Sequence, residues 1–373
     1  MRFVTCLFLA TVIISGCTST GGQQESLIPG NYASGFVLEK KDGITHATVY
    51  NPWGSARNIS MTYYLVNRDS IIPEALNGKQ YIKTPVRRVI CLSTTHVAYL
   101  DVLGETESIT GISGSRYITN PAVRERMEKG LVPDVGYGQN LNYELIVSQK
   151  PDVVILYGIG SEVTGQARKL EELGIRVVMM AEYLEETPLG KAEWIKFAGA
   201  LFEKEDIANE YFTKVEHEYN RLKNLAAVEE QKPSVLVGSP YKDAWWVPGG
   251  NSYMANLIAD AGADYPGKDN DSHESYVISF ENALEWASQA DVWINMGNLS
   301  SRQEILAADE RFGMFRVFRE GKIYNNIKRL SAHGGNDFWE SGTVNPHLVL
   351  HDLISVFHPD LSEGDLIYYQ EIK

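Results

Sequence analysis

The sequence predicts an α/β fold of two similar lobes joined by a long helix, with an N-terminal β appendage. Three observations carry this. From Val86 onward, short apolar runs of strand character alternate with helical segments. The second half of that alternation echoes the first. Between the halves, residues 188–229 have helical periodicity and no strand character.

The chain opens with "MRFVTCLFLATVIISGC". Arg2 gives a short positive region, and the apolar run to Ile14 is too short to span a bilayer as a mature helix. Small residues then precede Cys17, a pattern that resembles a bacterial lipobox. That resemblance implies a signal peptide over 1–16, cleaved before Cys17, with a diacylglycerol on the new terminal thiol. Each buried acyl CH₂ contributes about 0.8 kcal/mol, so several chains anchor a protein stably. Residues 17–30, "CTSTGGQQESLIPG", read as the lipidated Cys and a flexible tether.

Residues 31–82 read as the β appendage. "GFVLEKKDGITHATVY" alternates apolar and polar residues about Asp42-Gly43, a strong hairpin signal, and "ISMTYYLVN" continues the strand pattern. The first lobe occupies 83–187: a strand in "RRVICLS", a helix in "THVAYLDVLGE" ending at Gly104, a strand in "SITGIS", then "NYELIVSQKPDVVILYG" and "VTGQARKLEELGIRVVMM", each a helix followed by a strand. These strands barely alternate, as expected for a parallel sheet covered on both faces. Residues 188–231 form the connecting helices. Ala208, Phe212, Val215, Tyr219, Leu222 and Leu225 mark one apolar helical face. A single helix over 206–228 would be about 34 Å long. The second lobe, 232–373, resumes with the strand "PSVLVGSP", the helix "SYMANLIADAGADY", the helix and strand "ISFENALEWASQADVWINMG", the strand "GKIYNNI" and a last helix in "VNPHLVLHDLISVFHP". Each lobe is Rossmann-like, and two lobes make a cleft, where ligands collect.

Composition narrows the classes. A net charge of −14 argues against nucleic acid. With Cys6 removed and Cys17 lipidated, Cys91 remains alone in an apolar run, so it reads as an inert core thiol. "GIGSEV" from Gly158 follows a strand and opens a helix as a nucleotide loop does, but lacks the third glycine. Ser93 and His96 lie close together with no orienting acid marked. An α/β enzyme is therefore an alternative, and the main reading is of no catalytic chemistry.

Against that background the paired blocks are the most specific feature. "Asn-x-Glu…Pro-Asp-Val-Val-Ile" and "Ser-x-Glu…Ala-Asp-Val-Trp-Ile", with the connecting helix and the lipobox, make residues 85–360 resemble a helix-linked (class III) substrate-binding lipoprotein of an ABC importer, of the vitamin B12, haem and iron-siderophore periplasmic binding protein family. The resemblance implies capture of an iron complex or cobalamin between the lobes and delivery to a permease dimer with its ATPase. It implies no intrinsic cofactor, a monomer, and contact with the membrane through the lipid only, on the periplasmic side if the source is a double-membrane bacterium. It also places Glu144 and Glu281, one per repeat, on the lobe surfaces facing permease arginines.

Loops after the carboxyl ends of the strands should line the cleft. In the first lobe these carry Ser93, Thr94, Thr95 and His96, then Arg116 and Tyr117, then Tyr137 and Asn140, then Tyr157. In the second they carry Tyr241, Trp245 and Trp246, then Tyr276, Asn295, Arg329, His333, Asp337, Phe338 and Trp339. Aromatic faces supply area and polar groups supply orientation for a flat, partly apolar chelate. Arg116 and Arg329 are candidates for ligand carboxylates or phosphate. His96, His333, Tyr157 and Tyr241 are alternative axial haem ligands. In "GGNDFWES", the loop that resembles the acidic and aromatic cleft loop of B12-binding members, the glycines are expected to let backbone approach the ligand and the aromatics to cover it. His347 and His351, four apart, are a possible metal pair without a third ligand nearby, so free metal binding is a further alternative.

Overall fold

The computed structural model describes residues 26–29, 31–241, 244–362 and 364–373. The signal segment and Cys17 lie outside them.

β1 (Ser26–Pro29), β2 (Phe36–Lys41), β3 (Ile44–Tyr50), β4 (Ser60–Asn67) and β5 (Ile82–Thr84) form one sheet in that order, antiparallel except for the β4–β5 pair. Asp42 and Gly43 both take positive φ, 51° and 75°, as a two-residue hairpin turn requires. The strand β1 differs from the expected tether: 26–29 add to the edge of β2, where main-chain pairing outweighs the polar composition around them. Nor does the sheet hang free. Phe36, Leu38, Ala47, Val49 and Leu65 join the same core as the lobes. The buried carboxylate of Glu193 accepts the backbone N–H groups of Asn31, Tyr32 and Ala33, and Glu185 accepts those of Ser34 and Gly35. Buried carboxylates need such donors, and these tie the sheet to the helices behind it.

The first lobe contains β6 (Val89–Cys91), β7 (Ile109–Ile112), β8 (Val153–Leu156) and β9 (Val177–Met179), parallel and ordered β7-β6-β8-β9. Around them lie α1 (Thr94–Val102), α2 (Pro121–Glu128), α3 (Tyr143–Ser148) and α4 (Val163–Glu172). The connection is two helices. α5 (Pro188–Phe202) ends at Glu203, whose left-handed φ of 53° breaks the path before α6 (Glu205–Ala227) begins. The 23 residues of α6 span about 34 Å. Its buried face passes from Leu222 to Ala226, with Leu225 only half-buried.

The second lobe repeats the topology. β10 (Val235–Val237) is followed by β11 (Pro240–Tyr241), β12 (Ala244–Val247) and β13 (Tyr276–Ile278), then β14 (Val292–Ile294), β15 (Lys322–Asn325) and β16 (Gln370–Glu371). The main sheet runs β10-β14-β15-β16, and a parallel bridge from Ser234 to Asp264 stands beside β10 where β7 stands beside β6. Its helices are α7 (Tyr253–Asp260), α8 (Phe280–Gln289), α9 (Arg302–Ala308), α10 (Arg316–Glu320) and α11 (Pro346–Phe357). The small antiparallel sheet β11-β12-β13 is the departure from the expected loop at 240–247. One apolar cluster takes in Val89 and Val153 of the first lobe, Val235 and Val292 of the second, and faces of α1, α5, α6, α7 and α11. The lobes therefore close over shared core, not over a bare hinge.

Candidate ligand-binding cleft

Between the lobes, outside the carboxyl ends of both main sheets, lies a cleft of about 460 Å³. Leu92, Ser93 and Thr94 reach it from the end of β6, Ser113 from β7 and Tyr157 from β8. Asn295, Gly297 and Asn298 follow β14, and Asn326 follows β15. Tyr117, Tyr137, Gly334, Asn336 and Trp339 complete the wall.

The two tyrosines of one wall are placed by a single carboxylate. Asp134 accepts the backbone N–H of Ser115 at 2.8 Å and of Gly136 at 2.9 Å, shaping the turns that carry Tyr117 and Tyr137. Burial opposes its ionisation, yet these hydrogen bonds hold its carboxyl below the usual range. The rings lie 6.1 Å apart, and Gly114 is wedged where a Cβ would come within 3.1 Å of each. On the opposite wall Asn325, fully buried, accepts the Met296 N–H and donates to the carbonyls of Gly297 and Leu299. It thereby pins the loop that carries Asn298 to the end of β15.

The loop 334–341 resolves residue by residue. Gly334 has φ +89° and lines the cleft. A Cβ on Gly335 would meet the backbone oxygen of Tyr117, in the other lobe, at 2.4 Å. Gly335 thus permits contact between lobes, whereas the sequence suggested approach to a ligand. Asp337 is buried, accepts the Thr119 hydroxyl at 2.9 Å and pairs with Arg329 at 2.9 Å. Phe338 is a core residue, edge-on to Tyr368 and Tyr369, and does not cover the cleft. Its ring meets Trp339 at 4.7 Å, which leaves the half-exposed indole facing the cleft. Glu340 is buried and accepts the N–H groups of Thr119 and Asn120, 2.8 and 2.7 Å away in the first lobe. Burial pushes its carboxyl up to about 7.

Of the predicted residues, the structure brings together Ser93, Thr94, Tyr117, Tyr137, Tyr157, Asn295 and Trp339. Thr95 instead donates to Glu182 at 2.5 Å. His96 is fully buried, neither ring nitrogen has a partner among the described residues, and burial pulls its pKa down to about 3. It packs edge-on to Tyr157 behind the wall, out of reach as an axial ligand. Arg116 is exposed, lies over the Tyr117 ring at 4.5 Å and hydrogen-bonds its hydroxyl, and Arg329 is held by Asp337; neither guanidinium lines the cleft. Trp245 is a core residue, stacked 6.1 Å from Trp293, because alternation along β12 turns it inward. Trp246, on the outward face, is half-exposed and outside the cleft lining, as is the exposed His333. Tyr241 lies in β11. Asn140 and Tyr276 do not line the cleft, and His347 and His351 lie on α11. Among the described residues, no group of three or more His, Cys, Asp or Glu is placed to hold a metal ion. Ser113, Asn298, Asn326 and Asn336 escaped the sequence reading, which weighted aromatics. The strand-end rule itself points to Ser113 and Asn326.

Glu144 and Glu281 occupy matching positions, each the second residue of its helix. Asn142 caps α3 by accepting the Leu145 N–H, and Ser279 caps α8 by accepting the Asn282 N–H. Both glutamates are exposed.

Residues 89–328 match the family described as Periplasmic binding protein. The chain belongs to that family. An uncharacterized lipoprotein of Methanocaldococcus jannaschii is 30% identical over 335 residues, covering 85% of this chain and 82% of its own. A second uncharacterized lipoprotein of that organism is 28% identical over 320 residues, covering 81% of this chain and 73% of its own. Among solved structures, a periplasmic heme binding protein of Pseudomonas aeruginosa superposes with a TM-score of 0.60 at 18% identity, over 77% of this chain and 98% of that one. Periplasmic binding proteins of this fold are solute-binding proteins, and the cleft of this one lies at the junction of its lobes. Among the described residues no helix is long and apolar enough to cross a membrane.

Proposed function

We propose that this periplasmic binding protein is the exported, lipid-anchored substrate-binding component of an ABC importer, tethered through Cys17. It captures an iron chelate (siderophore or haem) or cobalamin between its lobes and passes it to a permease dimer through Glu144 and Glu281. The carrying observation is the cleft itself: Tyr117, Tyr137, Tyr157 and Trp339 present ring area from both lobes around hydrogen-bonding amides and hydroxyls. The lipoprotein relatives support the anchor, and the solved heme-binding neighbour supports a bulky chelate. Among the described residues, the lining offers no carboxylate, imidazole or thiolate, the donors a bare ion would require.

Thermal unfolding of the purified protein with cyanocobalamin, haemin and ferric siderophores tests this. A ligand at 100 times its Kd stabilises by about 2.7 kcal/mol. The expected result is a shift with at least one compound, strongly reduced in Trp339→Ala. No shift with any compound sinks the reading.

A further inference from the structure

The charge on the cleft wall goes further than its shape. Among the described residues, none of the fourteen that line the cleft is Lys, Arg, His, Asp or Glu. Four are asparagines: Asn295, Asn298, Asn326 and Asn336. An adjoining chamber of about 210 Å³ shares Tyr137 and Tyr157 with the cleft and adds the carboxamides Gln139 and Gln166. Tyrosine phenols aside, its one ionisable lining residue among the described residues is an acid, Glu162. Burial raises the Tyr157 phenol, so it stays protonated and uncharged.

We infer that the cleft selects cargo without net negative charge that presents carboxamide or hydroxamate groups. This rests on the solute-binding reading above and narrows its substrate class. A carboxamide offers two donors and an acceptor, so an asparagine side chain can pair with a cargo amide in both directions. A cargo carboxylate or catecholate offers acceptors alone. Apart from Asn336, whose oxygen already accepts the Phe338 N–H, it would leave the asparagine oxygens unmatched, and it would bring an anion out of water with no fixed cation facing it among the described residues. The two nearby arginines do not remedy this: Arg329 is neutralised by Asp337, and Arg116 is stacked on the Tyr117 ring outside the lining. The chain's net charge of −14 adds long-range repulsion against an approaching anion. Two chelate classes meet the requirement. One is a corrinoid fringed with primary amides. The other is a ferric trihydroxamate, whose three ligand charges cancel those of the metal. Haemin, with two propionates, and a ferric tricatecholate trianion do not.

Isothermal titration of the purified protein with four probes tests the inference: cyanocobalamin, a ferric trihydroxamate, haemin and a ferric tricatecholate. The expected result is that one of the first two binds at least about tenfold more tightly than either anion, since a site built for hydrogen bonds rejects a mismatched partner. That affinity should change less than about twofold between low and high salt, because screening acts on charge pairs. Asn298→Asp, at an exposed position that leaves the core untouched, should weaken the neutral probe. Tighter binding of haemin or the tricatecholate overturns the neutral-cargo inference and leaves the importer reading standing. Binding of none of the four overturns both.

Discussion

Glu340 shows how one side chain can carry a lobe contact and a pH response together. It sits in the second lobe and accepts two backbone N–H groups from the first, at the start of α2. Burial, more than the neighbouring Asp337, raises its pKa from 4.5 to about 7, despite those donors. An acid with a raised native pKa binds its proton more tightly folded than unfolded. Its contribution to stability is complete below about pH 4.5 and is lost as pH rises through about 7. The difference amounts to roughly 3 kcal/mol. Denaturant unfolding between pH 4 and pH 8 should therefore show native protein losing stability relative to Glu340→Gln as pH rises. Parallel profiles for the two proteins would mean the carboxylate is fully compensated by its donors.

At the scale of elements, the two repeats set equivalent side-chain caps, Asn142 and Ser279, beneath exposed glutamates. Glu144 and Glu281 each follow a capping residue by two positions, on α3 and α8, ahead of the matched central strands β8 and β14. Hydrogen bonding by its own backbone N–H and by Ser279 depresses the Glu281 carboxyl, so it is ionised at neutral pH. Two like carboxylates on two like lobes suit a two-fold partner. Glu144→Ala combined with Glu281→Ala should leave cargo affinity unchanged and abolish uptake in cells. Loss of affinity in the double variant would place these carboxylates in binding instead of docking. The elements also show where sequence reading stops. The period-2 alternation of "AWWV" was available, but two adjacent tryptophans in a Gly- and Pro-flanked stretch look like a loop until β11 and β13 pair with them. A helix starting near residue 206 was expected, but the left-handed residue Glu203 that separates it from α5 was not, because helical periodicity continues on both sides of it.

At the scale of the whole molecule, one apolar core ties the lobes together and predicts small motion between them. The shared core runs from the N-terminal sheet through both lobes. Cross-braces add to it: Tyr211 of α6 donates to Asn345 at 2.6 Å, Tyr219 to Asp260 at 2.7 Å, and Lys191 lies 4.3 Å over the Tyr253 ring. Packed interiors resist continuous deformation, so cargo should be gripped by local adjustment of the loop 334–341 and a small rocking of the lobes. Small-angle scattering with and without bound cargo should give nearly superposable profiles. A large compaction on binding would show that the shared core opens in the unliganded protein.

Local chemistry by itself determined the alternating α/β order, the Asp42-Gly43 hairpin, the helix caps and the internal repeat, because each depends on residues near one another in the chain. It also located the cleft at the strand ends, since that follows from topology. Tertiary structure decided which neighbour faces where. Phe338 and Trp339 are adjacent, yet one fills the core and the other meets the cleft, because Tyr368 and Tyr369 supply the apolar contact that draws Phe338 inward. Thr119 and Asn120, more than two hundred residues away in sequence, gave Glu340 its role. The neutrality of the cleft wall likewise emerged only when the fold placed Arg116, Arg329 and Asp337 outside its lining, a placement no local pattern announces.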